Sequence, residues 1–265
     1  MSNKINKTAL ITGPTSGIGF ELITLFCNDN IDLVLVSRNK EKLENIKNYI
    51  INNYDVNVFI LSIDLSNSGS AKKVYEFCVH HNLKIDYLVN NAGFGIYGVF
   101  EKTSIQLERE MIHLNITSLT ELTKYFAVDM KKRGFGKIMN VASTASFQPG
   151  PWMSVYCATK HYVLAFSEAI AEEFKNSGVS ITTLCPGPTI SGFQERAGFK
   201  KNAKLFNSPT TATSKQVAIF GYRKMMRRKR VVVYGFLNNL STFFVKFVPN
   251  NLKTILVKKV FKYYH

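Results

Sequence analysis

"TALITGPTSGIG", Thr8 to Gly19, is a short apolar run that stops in a glycine-rich turn, with glycines at 13, 17 and 19. Ala9, Leu10 and Ile11 read as a buried strand, and a helical pattern follows from about Gly17 to Asn28. Such a turn lets backbone N–H groups approach a pyrophosphate, with the positive end of the helix dipole behind them. Glycines in this spacing are weak evidence alone, and they differ from the commoner G-x-G-x-x-G. Here the strand before and the helix after supply the required context.

Outward from that turn the same alternation repeats. Strands are expected at 32–37, 56–64, 85–93, 136–143, 179–187 and 230–235. Helical stretches are expected after 37 to about 52, across 68–81, over 104–133 as one long helix, and over 153–176. Continuous apolar strands alternating with helices imply a parallel sheet covered on both faces. The expected fold is α/β: a Rossmann-type, doubly wound, mainly parallel seven-stranded sheet with a helical carboxyl-terminal extension. No repeat, low-complexity linker or composition break divides the chain, so residues 1–265 read as one domain. Pro and Gly cluster at the carboxyl ends of strands, where open α/β sheets hold ligands.

Composition narrows the setting. The chain has 265 residues, 46% hydrophobic, enough for a sizeable core. Cys27, Cys78, Cys157 and Cys185 are scattered and form no C-x-x-C, so they read as buried reduced thiols. The histidines lack metal-ligand spacing, and no metal site is expected. No apolar stretch of signal-peptide type precedes the first strand, which points to a cytoplasmic protein. The net charge of +16 is unevenly spread: residues 1–195 balance, whereas residues 196–265 hold 16 Lys and Arg and no acid. That asymmetry favours an anionic partner or surface.

A second stretch, "VYCATK", places Tyr156 and Lys160 four residues apart, on one face of a helix and about 6 Å apart along its axis. With "TGPTSGIG", "NNAG" at 90–93, Asn115 in "HLNIT", Ser143 in "NVASTAS" and "PGPT" at 186–189, the chain resembles the short-chain dehydrogenase/reductase family over residues 8–193. Pro14 stands where that family more often has a small residue. The tail 231–252 also resembles a branch of mostly uncharacterised reductases with a helical carboxyl end. The resemblance implies a catalytic set of Asn115, Ser143, Tyr156 and Lys160, with Asn115 linking Lys160 to a water relay. It implies a cofactor site of Gly13, Thr15, Ser16, Gly17, Ile18, Gly19, Ser37, Arg38, Asp64, Leu65, Asn91, Ala92, Gly93, Tyr156, Lys160, Pro186, Gly187 and Thr189. It implies a homodimer or homotetramer paired through the two long helices, and a substrate lid over about 190–212.

The chemistry expected of these residues is interconversion of an alcohol with a ketone or aldehyde. Tyr156 would carry the proton, with Lys160 and the positive oxidised nicotinamide together lowering its pKa, and Ser143 would hold the substrate oxygen. The second strand ends in Ser37 and Arg38 rather than an acid, and a guanidinium suits a 2′-phosphate. NADP is therefore expected, with NAD as the alternative. Phe193, Phe199, Leu205 and Phe206 in the lid, facing Phe147 and Trp152, suggest a hydrophobic lipid-, acyl- or steroid-like substrate.

Two tail stretches, 236–248 and 252–264, are each apolar on one face. Phe236, Leu240, Phe243, Phe244 and Phe247 share one such face, and Leu252, Ile255, Leu256, Val260 and Tyr263 the other, with lysines mostly off it. They are expected to cover the protein itself or a twin subunit, with peripheral contact to an anionic membrane as the competing expectation. The competing function is accordingly a cofactor-bound docking protein acting at a membrane surface. The basic run "RKMMRRKR" reads as the end of a helix, where cations suit the dipole, and no nucleic-acid motif accompanies it.

Overall fold

The computed structural model describes residues 7–199 and 211–262. Seven parallel strands form one sheet: β1 (Thr8–Thr12), β2 (Asp32–Ser37), β3 (Val58–Ser62), β4 (Ile85–Asn90), β5 (Gly136–Val141), β6 (Val179–Cys185) and β9 (Val231–Val233). They lie in the order β3-β2-β1-β4-β5-β6-β9. A separate pair, β7 (Thr189–Ile190) with β8 (Ala212–Thr213), lies beyond β6. The sequence did not signal this pair, because two-residue strands carry no periodicity.

The central strands are buried on both sides, and alternate residues feed two different cores. Leu10, Val34, Val36 and Leu88 face one, with Val74 and Cys78 of α3 (Ser70–His80), Leu122, Phe126 and Met130 of α5 (Leu119–Lys132), and Cys157 of α6 (Ser154–Glu173). Ala9, Ile11, Leu33, Leu35 and Val89 face the other, with Leu22 and Phe26 of α1 (Gly17–Asn28), Leu43 and Ile50 of α2 (Lys40–Asn53), and Val217 and Met225 of α8 (Ser214–Met226). This is the expected doubly wound, Rossmann-type arrangement. Strand order reverses between β1 and β4, where the cleft opens.

The stretch expected as one helix over 104–133 is interrupted. α4 (Ile105–Ile112) passes into a wider turn over His113–Ser118 with i→i+5 bonding before α5 begins. Such wide turns pull a side chain out of the regular register, and the residue at its centre is Asn115. The run "RKMMRRKR" does end α8, whose last turn holds Arg223 and Lys224. The short α7 (Phe193–Arg196) follows β7, and the tail forms α9 (Phe236–Val245) and α10 (Asn250–Lys262). Leu205, Phe206 and Tyr263 lie outside the described residues.

Candidate active site

A cleft of about 840 Å³ runs along the carboxyl edge of the sheet, within the size of cofactor sites. Every residue assigned from sequence lines it except Gly19 and Asn115, which lie directly behind its wall.

At one end stands the first turn. Gly13 and Gly17 have φ of 66° and 60°, a region that L side chains rarely adopt. Ser16, the residue before α1, makes no capping bond to the helix, so the first N–H groups of α1 are left for a ligand. Gly19 has another purpose: a Cβ there would lie 2.4 Å from the Gly13 carbonyl oxygen and 2.5 Å from Asn91 Nδ2. It lets α1 close against the turn. Asn91 donates through Nδ2 to the carbonyls of Thr12 and Gly13, each at 3.0 Å. The Thr12 hydroxyl accepts from the N–H groups of Asn91 at 3.0 Å and Ala92 at 2.9 Å. The "NNAG" motif therefore shapes the first turn as well as lining the cleft. Its first residue, Asn90, points the other way, into a buried network with Thr123 and Asn140, both 2.9 Å away.

The neighbouring wall comes from the ends of β2 and β3. Ser37 lines the cleft, and its Oγ is buried without a hydrogen-bond partner among the described residues. Arg38 donates to Asp64 at 3.3 Å, with both side chains partly exposed. Asp64 also accepts from the backbone and hydroxyl of Ser66, at 2.9 and 2.7 Å. Burial pushes the Asp64 carboxyl up, but the Ser66 bonds and the Arg38 charge outweigh it and hold the group below its ordinary value. The helix after β3 begins at Ser70 behind Gly69, so Asp64 caps a turn rather than that helix.

The far end is built on α6. Tyr156 and Lys160 share its inner face and are almost fully buried. Lys160 Nζ donates to the Val141 carbonyl at 2.8 Å and sits 5.8 Å from the Tyr156 ring centroid. Ser143 follows β5; its hydroxyl accepts from the Ala145 N–H at 3.1 Å. Burial raises the Tyr156 pKa, against a hydrogen bond from Ser143 that lowers it. Burial also pulls Lys160 down from 10.5 to about 8. In the polypeptide alone, burial is the largest influence on both groups, raising the phenol and lowering the ammonium. Asn115 donates to the Phe94 carbonyl at 2.9 Å and to Thr159 Oγ1 at 3.1 Å, and accepts from the Phe94 N–H at 3.2 Å. It braces α6 against the chain after β4 and makes no direct bond to Lys160.

The sequence matches the profile of the short chain dehydrogenase family over residues 7–201. This chain belongs to that family. Among curated relatives, the dehydrogenase/reductase SDR family member 7 of Homo sapiens is 31% identical across 71% of this chain and 56% of its own length. The very-long-chain 3-oxoacyl-CoA reductase-A of Danio rerio is 30% identical across 70% of this chain and 59% of its own. This short-chain dehydrogenase thus spans less than two thirds of the curated relatives it matches. A solved short-chain dehydrogenase from Sphingobium yanoikuyae in complex with NADPH superposes with a TM-score of 0.80 at 27% identity, covering 92% of this chain and 96% of the other.

Sequence reasoning missed several wall residues. Lys42, one turn into α2, and Arg196 at the end of α7 both line the cleft. Lys42 had a signal, a lysine one turn after "SRN"; Arg196 had none. The dehydrogenase's tail also contributes Asn238, Thr242, Leu256 and Val257 to the wall. Phe147 lines the cleft as expected, whereas Met153 and not Trp152 does so on the same flank. In the expected lid, Phe193 lies 5.3 Å from the Tyr156 ring, and Phe199 is buried against Tyr97.

Proposed function

We propose that this short-chain dehydrogenase is an NADP(H)-dependent oxidoreductase interconverting a ketone or aldehyde with its alcohol, on a hydrophobic substrate. One observation carries this reading: Tyr156, Lys160 and Ser143 converge at one end of a cleft whose other end is the glycine turn. The bound dinucleotide would supply or accept the hydride. The turn at Gly13–Ile18 would hold its pyrophosphate, and Ser37, Arg38 and Lys42 a 2′-phosphate. Two cations at that wall support NADP over NAD, as does the NADPH complex of the Sphingobium relative. Arg38 would exchange its 3.3 Å contact with Asp64 for the phosphate.

Ser143 would hold the substrate oxygen, and Tyr156 would donate its proton as the oxygen gains charge. The raised Tyr156 pKa keeps the phenol protonated at neutral pH, which suits reduction. Lys160 anchors the site through Val141, and Asn115 is a positioning residue that fixes α6. Phe147, Met153, Phe193 and Phe199 line the substrate side and support an apolar substrate. The Danio relative's name, a 3-oxoacyl-CoA reductase, fits that class. Exposed Ile105, Ile112 and Val128 along α4 and α5 support pairing of two copies there.

Calorimetric titration with NADPH and NADH, followed by turnover of ketones of rising chain length, tests the reading. Tyr156→Phe should lose turnover by about 100-fold or more while keeping NADPH affinity. Turnover that survives this change would overturn the assignment.

A further inference from the structure

The tail helix α9 is folded inside out. Its buried residues are Asn238 and Thr242, 7% and 6% exposed. Its outer surface carries Phe236, Leu237, Leu240, Phe243 and Phe244, with Phe247 just beyond, and Phe236 is 79% and Phe247 72% exposed. Soluble helices turn their apolar stripe inward. Here the inner position is set by the site: a Cβ at Gly187 would meet Asn238 Nδ2 at 2.4 Å, so Asn238 packs directly on the turn after β6. The phenylalanines cluster outside, with Phe243 5.6 Å from Phe244 and 5.3 Å from Phe247, ring centre to ring centre. α10 exposes apolar side chains of its own, Leu252, Ile255 and Leu256, each about half exposed. Leu256 also lines the cleft, so the apolar surface runs into the cleft mouth.

We infer that α9 and α10 form a docking face for an anionic lipid surface, and that the cleft opens onto it. Charge selects this occupant. Residues 196–265 carry 16 basic and no acidic side chains, and Lys258 and Lys259 on α10 are exposed. A second copy docked on this face would bring two such segments together, and like charges oppose that. An anionic bilayer accepts both the aromatic side chains and the lysines. Among the described residues no helix is long and apolar enough to cross a membrane. The substrate class follows if the proposed activity holds: a carbonyl lipid that enters from the bilayer past Leu256. Docking itself does not depend on that activity.

Flotation with phosphatidylcholine vesicles, with and without phosphatidylserine, tests this in the absence of cofactor. The full chain should float with phosphatidylserine vesicles at low salt and release at high salt. Phe236→Asp with Phe244→Asp and Phe247→Asp should abolish flotation and leave NADPH affinity intact, which also reports folding. Lys258→Glu with Lys259→Glu should weaken vesicle binding about tenfold or more. Failure of the wild-type chain to float overturns the docking face. So does a phenylalanine variant that floats unchanged, or one that only converts a dimer to a monomer. Loss of turnover with retained flotation would count against the proposed activity and not against docking.

Discussion

At the residue scale, one missing atom can matter as much as a functional group. Gly19 never touches the cleft, yet Gly19→Ala would drive a methyl into the Gly13 carbonyl, 2.4 Å away. That variant should lose about 1–3 kcal/mol in urea denaturation, and NADPH affinity with it. Arg38 is exposed and bound to Asp64, so replacing it should barely alter folding. Arg38→Glu should instead weaken NADPH about tenfold or more relative to NADH in parallel titrations, because a carboxylate repels a 2′-phosphate. Lys160 supplies a pH prediction. Burial lowers its pKa to about 8, so the ammonium is present below that pH and lost above it. The rate of ketone reduction should fall as pH rises through about 8 in the free enzyme's kcat/KM profile, and a profile flat to pH 10 would remove Lys160's charge from the chemistry. Tyr156 and Lys160 were legible in the sequence because an i, i+4 pair needs only a helix. Arg196 was not, because only the path of α7 brings it to the wall.

At the element scale, local signals set where helices start and tertiary packing sets what they face. α8 begins at Thr213, whose hydroxyl accepts from the Gln216 N–H while Gln216 accepts from the Thr213 N–H. Thr213→Ala should destabilise the protein by about 1 kcal/mol, read as a shift in the urea midpoint at constant slope. The wide turn at His113–Ser118 was illegible, since its residues fit a regular helix equally well. What selects it is outside the helix: Asn115 reaches Phe94 and Thr159. The tail shows the same limit. Its apolar stripe was legible, and it was expected to cover the protein or a twin subunit. For α9 the structure overturns only the first of these, turning the stripe away from the protein's own body, because Asn238 is held between Gly187 and the Tyr234 carbonyl, 3.0 Å from its Nδ2.

At the scale of the whole molecule, the two cores bury Cys27, Cys78 and Cys157, a smaller apolar cluster buries Cys185, and burial raises each thiol from 9.0 to about 12. An unfolded chain would release those protons near pH 9, whereas the folded chain keeps them. Their contribution to stability is thus complete below pH 9 and lost as pH rises towards 12. Urea midpoints under reducing conditions should fall steadily above pH 9, and replacing Cys78 with Ala should flatten that slope. By itself the sequence determined the layered α/β fold, the strand sequence along the chain and the chemical types in the cleft. These follow from local periodicity, from glycines that permit a tight turn, and from pairs a few residues apart. Only the tertiary structure decided that Ser37 Oγ is buried, that Arg38 rests on Asp64, that burial raises the Tyr156 pKa, and that the phenylalanines of α9 face outward. Each of these depends on which groups from distant parts of the chain displace water around a side chain, and no local pattern carries that information.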